Sequence, residues 1–182
     1  MIEKYLYWLN SKDPNSDKET VFREMYSRIG YIFHIIQMIE YNITNILALE
    51  EFEKEPEDVL SKDDIERIRK NIDVKFNELS KLTFGTLKNK IEKSKYLANV
   101  DIVQLKKIVD YRNYLAHRCF KENLLNSELN TIEDVDKFVD ELSEFEATVI
   151  DFNEWLLEVF NKNKIKRVWI IKQRNDSLYH KE

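Results

Sequence analysis

Glycine and proline are nearly missing from this chain, with two of each in 182 residues, where average usage would supply roughly a dozen and nine. Tight turns need glycine for positive φ and proline for rigid corners. A β-sandwich, a barrel or a glycine-rich phosphate loop is therefore excluded, and long helices remain. No P-loop, dinucleotide fingerprint or nucleophile elbow is found either.

Cysteine is scarcer still. Cys119 stands alone, so no disulfide can form within the chain, and a reducing, intracellular setting is expected. The opening stretch, residues 1–10, is too short and too charged for a signal peptide. No stretch is expected to reach the ~20 apolar residues of a membrane span. The expectation is a cytoplasmic protein with no membrane contact. Net charge is −5, so the chain as a whole offers nucleic acid no basic surface. The three histidines, His34, His117 and His180, show no metal-ligand spacing with one another or with Cys119. The run Glu50, Glu51, Glu53, Glu55 reads as a solvated helix end, and no cofactor is expected.

What the chain does have is mass and pattern. Hydrophobic residues make up 43% and charged residues 35%, enough for a real core and too apolar for a disordered chain. Residues 3–10 read as a short helix and 12–16 as a turn, after which Ser16-Asp-Lys-Glu19 forms a capping-box pattern. Val21, Met25, Ile29, Ile32, Ile36, Ile39, Ile43 and Ile46 recur at spacings of three and four, which predicts one long helix to about Leu49. Gly30 inside it marks a close approach or a break. Ser61-Lys-Asp-Asp64 opens a second helix with Ile65, Ile68, Ile72, Phe76 and Leu79 on one face. A third is expected over 83–94 and a fourth over 100–122. Thr131-Ile-Glu-Asp134 is a further capping box, introducing an acidic helix to about Phe160.

The fourth helix carries an anomaly. On a wheel of 100° per residue, Ile102, Leu105, Ile108, Val109, Leu115, Ala116, Cys119 and Phe120 share one apolar arc, and Arg112 falls near its middle at about 280° from Ile102. A guanidinium there is costly unless it is paired or faces an anion. Asn113 and His117, spaced i and i+4, stack on the flank of the arc, with Asp110 one turn earlier. Two readings stand at this point. Arg112 pairs with a core acid, for which Glu40 on the first long helix is the candidate, or Arg112, Asn113 and His117 line a ligand site. Arg112 and His117 are about 140° apart around the helix. If the site is catalytic, that spacing favours two copies of the 108–120 helix meeting across a twofold axis. Cys119 reads as core rather than as a nucleophile.

The segment Arg112-Asn113-Tyr-Leu-Ala-His117 resembles the R-x4-6-H motif of the HEPN superfamily in its R-N-x-L-A-H form. Leu82-Thr-Phe-Gly-Thr-Leu87 is similar to a stretch found in some members. The resemblance covers about residues 18–160. With the helical pattern it gives an all-α fold, an up-and-down bundle of four to five main helices flanked by a short N-terminal helix and a basic C-terminal tail. It implies a dimeric ribonuclease that uses no metal, of the kind common in toxin–antitoxin and antiviral defence systems. It further implies that His117 is the general base or acid, that Arg112 clamps the scissile phosphate, and that Asn113 orients His117 or the phosphate by hydrogen bonding. Tyr114 and Arg118 would touch flanking RNA. The expected partners are RNA, a second copy of the chain and an antitoxin protein. Some family toxins carry a tyrosine two residues after the histidine, which a partner enzyme modifies; here that position is Cys119. A catalytically inactive HEPN-like scaffold for nucleotide, RNA or protein is the alternative function.

The expected division is a bundle over 1–160 and an extension over 161–182. Residues 131–160 hold ten acids against Lys137, a net of −9, whereas 162–181 hold seven bases against Asp176, a net of +6. Either a tail pairs with acidic helices, or an arm gathers a polyanion. Val168-Trp-Ile-Ile171 favours at least partial docking.

Overall fold

The computed structural model describes residues 18–51, 62–119, 121–122 and 131–162. The expected N-terminal helix and the basic tail lie outside these residues. The fold is an all-α helical bundle, and the described residues hold five helices and no strand. They are α1 (Lys18–Glu50), α2 (Lys62–Leu79), α3 (Phe84–Ile91), α4 (Ile102–His117) and α5 (Ile132–Lys162).

The ends follow from local chemistry. Thr131 and Asp134 satisfy each other's backbone at the start of α5. The Asp134 N–H donates to Thr131 Oγ1 at 3.1 Å and the Thr131 N–H to Asp134 Oδ2 at 3.1 Å. Thr83 caps α3, accepting the Thr86 N–H on its hydroxyl at 3.3 Å. Asp101 caps α4 through Oδ1, which accepts the Val103 and Gln104 N–H groups at 2.9 and 3.0 Å. Two expected boundaries move. The third helix stops at Ile91 rather than Ser94, because Ser94 Oγ turns to accept the Tyr96 and Leu97 N–H groups. The fourth helix ends at His117 rather than 122.

Gly30 neither breaks α1 nor admits a close neighbour. The helix runs through it, and nothing lies within 4 Å of where a Cβ would stand. The expectation that no segment resembles a membrane span is also corrected. Between Ile29 and Leu49 the only Asp, Glu, Lys or Arg is Glu40. By length and composition α1 could therefore cross a bilayer, yet 56% of its most apolar window is buried inside the protein. Residues 43–49 are buried on every face, polar Thr44 and Asn45 included, so this end of α1 is enclosed by protein.

The chain divides into two compact units, the first built from residues up to 36 and 110–150, the second from 37–109 and 151 onward. In the first, Met25, Ile29 and Ile32 of α1, Leu115 of α4, and Val135, Val139 and Leu142 of α5 are buried. Each such side chain contributes about 1.5–3 kcal/mol by leaving water. One charge is buried among them. Arg28 donates to Glu24 Oε1 from Nε and Nη2 at 3.2 and 3.0 Å, and from Nη1 to Glu146 Oε2 at 3.1 Å.

In the second unit the core takes in Ile39, Ile43 and Ile46, with Ile72, Ile91 and Leu156. Asn42 Nδ2 donates to Asn153 Oδ1 at 2.9 Å, tying α1 to α5 there. Glu50 pins the turn after α3, accepting the Ser94 hydroxyl on Oε2 and the Lys95 N–H on Oε1 at 2.7 Å. That second contact joins residues 45 apart in sequence.

Candidate active site

The motif residues all lie on α4 and belong to the first unit. Asp101 fixes the start of the helix, and buried Leu115 and Cys119 seat its C-terminal half. The buried stripe runs Leu105, Ile108, Leu115, Cys119. It is narrower than the wheel suggested, because Ala116 is exposed. Phe120 lies outside the described residues.

Arg112 occupies the middle of that stripe in sequence order but is only half-buried. Its Nη1 donates to Asn113 Oδ1 at 3.2 Å. Neighbours at i and i+1 do not share a helix face, so the long arginine bends around the helix to meet the amide. Among the described residues Arg112 makes no ion pair. Glu40, the acid expected to neutralise it, is half-buried in the second unit beside Tyr41, Thr44 and Phe76, and its backbone oxygen accepts the Thr44 hydroxyl at 2.8 Å.

Asn113 and His117 are both exposed on successive turns, as is Asp110. His117 is the last residue of α4, and the Arg118 N–H continues the ladder to Tyr114 O at 2.9 Å. Arg118 is exposed; its guanidinium carbon lies 5.5 Å from the Tyr114 ring centroid and Nη1 is 3.9 Å from Glu122 Oε1. Around the C-terminal half of α4 stand a guanidinium, an amide, an imidazole and an arginine-capped aromatic ring, with Arg112 and His117 about 140° apart.

The sequence did not single out two further groups of the first unit. Tyr111 packs against Phe145 with ring centroids 4.1 Å apart and against Tyr114 at 5.6 Å. Its hydroxyl is buried without a hydrogen-bond partner among the described residues. Burial, helped by the nearby Glu141 carboxylate, holds the phenol well above its ordinary range, so it remains protonated. The second group is the Arg28 cluster. A cation inside the i, i+3, i+4 stripe of α1, with Glu24 one turn before it, was the available signal. Among the described residues no three of His, Cys, Asp or Glu converge as a metal site.

The class that the fold defines is an all-α helical bundle. No family model, curated protein or solved structure matches the chain.

Proposed function

We propose that this chain is an endoribonuclease of HEPN type that needs no metal, working as a homodimer in a toxin–antitoxin or antiviral defence system. The observation that supports the reading most is Arg112. It is a half-buried guanidinium bonded to the Asn113 amide, with no carboxylate neutralising it among the described residues, five residues before an exposed His117 on the same helix. A positive charge held this way is suited to an anion brought by a ligand.

In this mechanism His117 takes the proton of a ribose 2′-OH, whose oxygen attacks the adjacent phosphorus. The bond to the leaving 5′-oxygen breaks, and that oxygen takes a proton from an imidazolium. The products are a 2′,3′-cyclic phosphate and a 5′-hydroxyl. Arg112 holds the phosphate oxygens as negative charge builds on them. Asn113 positions Arg112 through its amide oxygen. A second copy of α4 across a twofold axis supplies the complementary imidazole.

The test is incubation of the purified protein with RNA in EDTA, beside Arg112→Ala and His117→Ala variants shown to fold. Cleavage by wild type alone, leaving cyclic-phosphate ends, supports the enzyme. No cleavage by the folded wild type against varied RNAs overturns it and leaves a binding scaffold. Cleavage that survives His117→Ala assigns the chemistry elsewhere.

A further inference from the structure

The second unit holds a groove of about 720 Å³, within the roughly 300–1,000 Å³ typical of ligand clefts. It belongs to no part of the site on α4. It is lined by Leu47 and Leu79, by Glu50 and Glu51, and by Lys90, Lys93 and Lys95. Glu51 is paired with a lysine, whereas Glu50 is hydrogen-bonded by neutral groups and keeps its charge. Both Glu50 oxygens accept bonds from the 94–95 turn, and Glu51 Oε1 lies 2.8 Å from Lys75 Nζ. The three lysines are exposed and come from the end of α3 and the turn that Glu50 pins, so their backbone is held in place. Lys95 Nζ also lies 4.7 Å from the Tyr96 ring centroid. In a chain of net charge −5, this groove sets three lysines and an apolar base of Leu47 and Leu79 against Glu50, whose charge no cation neutralises among the described residues.

The geometry points to the Lys90–Lys93–Lys95 groove as a binding site for the phosphodiester backbone of single-stranded RNA. The choice of polyanion rests on the ribonuclease reading above. Ammonium groups are compact point charges that suit successive phosphates without reading sequence. The apolar base receives the sugar or base edge. The groove adds affinity, and α4 carries the chemistry.

Salt dependence tests this directly, because each phosphate contact on a single strand contributes about −0.7 to the slope of log K against log[salt]. The full-length chain carrying His117→Ala, which keeps RNA intact, is titrated against fluorescein-labelled oligouridine across a sodium chloride series. Lys90→Gln, Lys93→Gln and Lys95→Gln are added singly and together, with Lys137→Gln on acidic α5 as control. The expected result is a slope shallower by about 0.7 per lysine and about 2 for the triple change, with the control unchanged and melting temperatures constant. A triple variant with the parental slope, a control that shifts the slope equally, or no RNA binding overturns the site. Displacement of the RNA by polyglutamate as readily as by unlabelled RNA overturns it in favour of an acidic protein partner. Wild-type cleavage in EDTA is read separately. Cleavage with an unaltered slope defeats the groove alone, whereas lysine-dependent slopes without cleavage defeat the nuclease alone.

Discussion

Two arginines sit in apolar helical stripes of the first unit, and the protein treats them differently. Arg28 on α1 is 11% exposed and bonded to two carboxylates that are themselves 15% and 12% exposed. Arg112 on α4 is half-buried and bonded to one neutral amide. A buried cation that a fold keeps for itself must be neutralised, because desolvation otherwise costs several kcal/mol. Arg28 meets that requirement with carboxylates one turn away and 118 residues away. Arg112 avoids it by staying partly in water with its charge uncompensated. The first pattern belongs to folding; under the proposed function, the second is that of a group kept for an external anion.

The largest expected effect tests the structural half of the contrast. Arg28→Ala leaves Glu24 and Glu146 buried without their cation and should cost about 3–5 kcal/mol of unfolding free energy, read by urea denaturation. Replacing all three by apolar residues of similar volume should recover most of the loss, since the cluster is costly to break rather than intrinsically stabilising. Arg112→Ala should behave oppositely. Stability changes within about 0.5 kcal/mol, as for a substitution that breaks no buried pair, while RNA cleavage falls by about 10²–10³-fold, the usual loss when one group stabilising developing charge is removed. If Arg112→Ala unfolds the protein, the contrast fails and Arg112 is a structural cation like Arg28.

A smaller effect sharpens the Arg28 side. Burial raises the Glu146 carboxyl above its ordinary value of 4.5, and this outweighs the opposing pull of Arg28. Between 4.5 and its raised value the folded state holds a proton that the unfolded chain has lost. Stability therefore declines as pH rises through that window. Glu146→Gln keeps a hydrogen-bond acceptor for Arg28 and removes the titration. Wild type should lose stability relative to this variant as pH climbs above 4.5, in paired denaturation curves. A constant difference across that range would show that Arg28, rather than burial, sets the Glu146 proton affinity.

How much of this could be read in the sequence depends on how far apart the responsible residues lie. Thr131 and Asp134 are three residues apart, and the start of α5 was legible. The stripe of α1 and the motif on α4 were legible for the same reason. The end of α3 was not, because Ser94 answers to Glu50, 44 residues earlier. Arg28 was passed over because its second carboxylate is 118 residues away, a contact that periodicity does not carry. On α4 the wheel placed Arg112 centrally but put Ala116 inside the arc, where the protein leaves it exposed. An ideal wheel assigns angles, not the edges of a buried face. The bond from Arg112 to Asn113 escaped because adjacent residues point apart, and only a side chain as long as arginine closes the gap.

The smallest expected effect asks whether the support beneath Arg112 shares in its chemistry. Tyr111 directly precedes Arg112, and its ring stacks on Phe145 while its hydroxyl is buried with no bond to satisfy it among the described residues. An unsatisfied buried hydroxyl is a cost, and burial also keeps the phenol protonated, so it is not a general base at neutral pH. Tyr111→Phe preserves the ring contact and removes the stranded oxygen. Stability should hold or rise by up to about 1 kcal/mol, and RNA cleavage should stay within about twofold of wild type. That outcome confines the working charge to Arg112 and makes Tyr111 a packing residue. A loss of cleavage at unchanged stability would mean that the hydroxyl meets a group present only in the working assembly. The line between a cation kept for folding and one kept for a ligand would then run through Tyr111 as well.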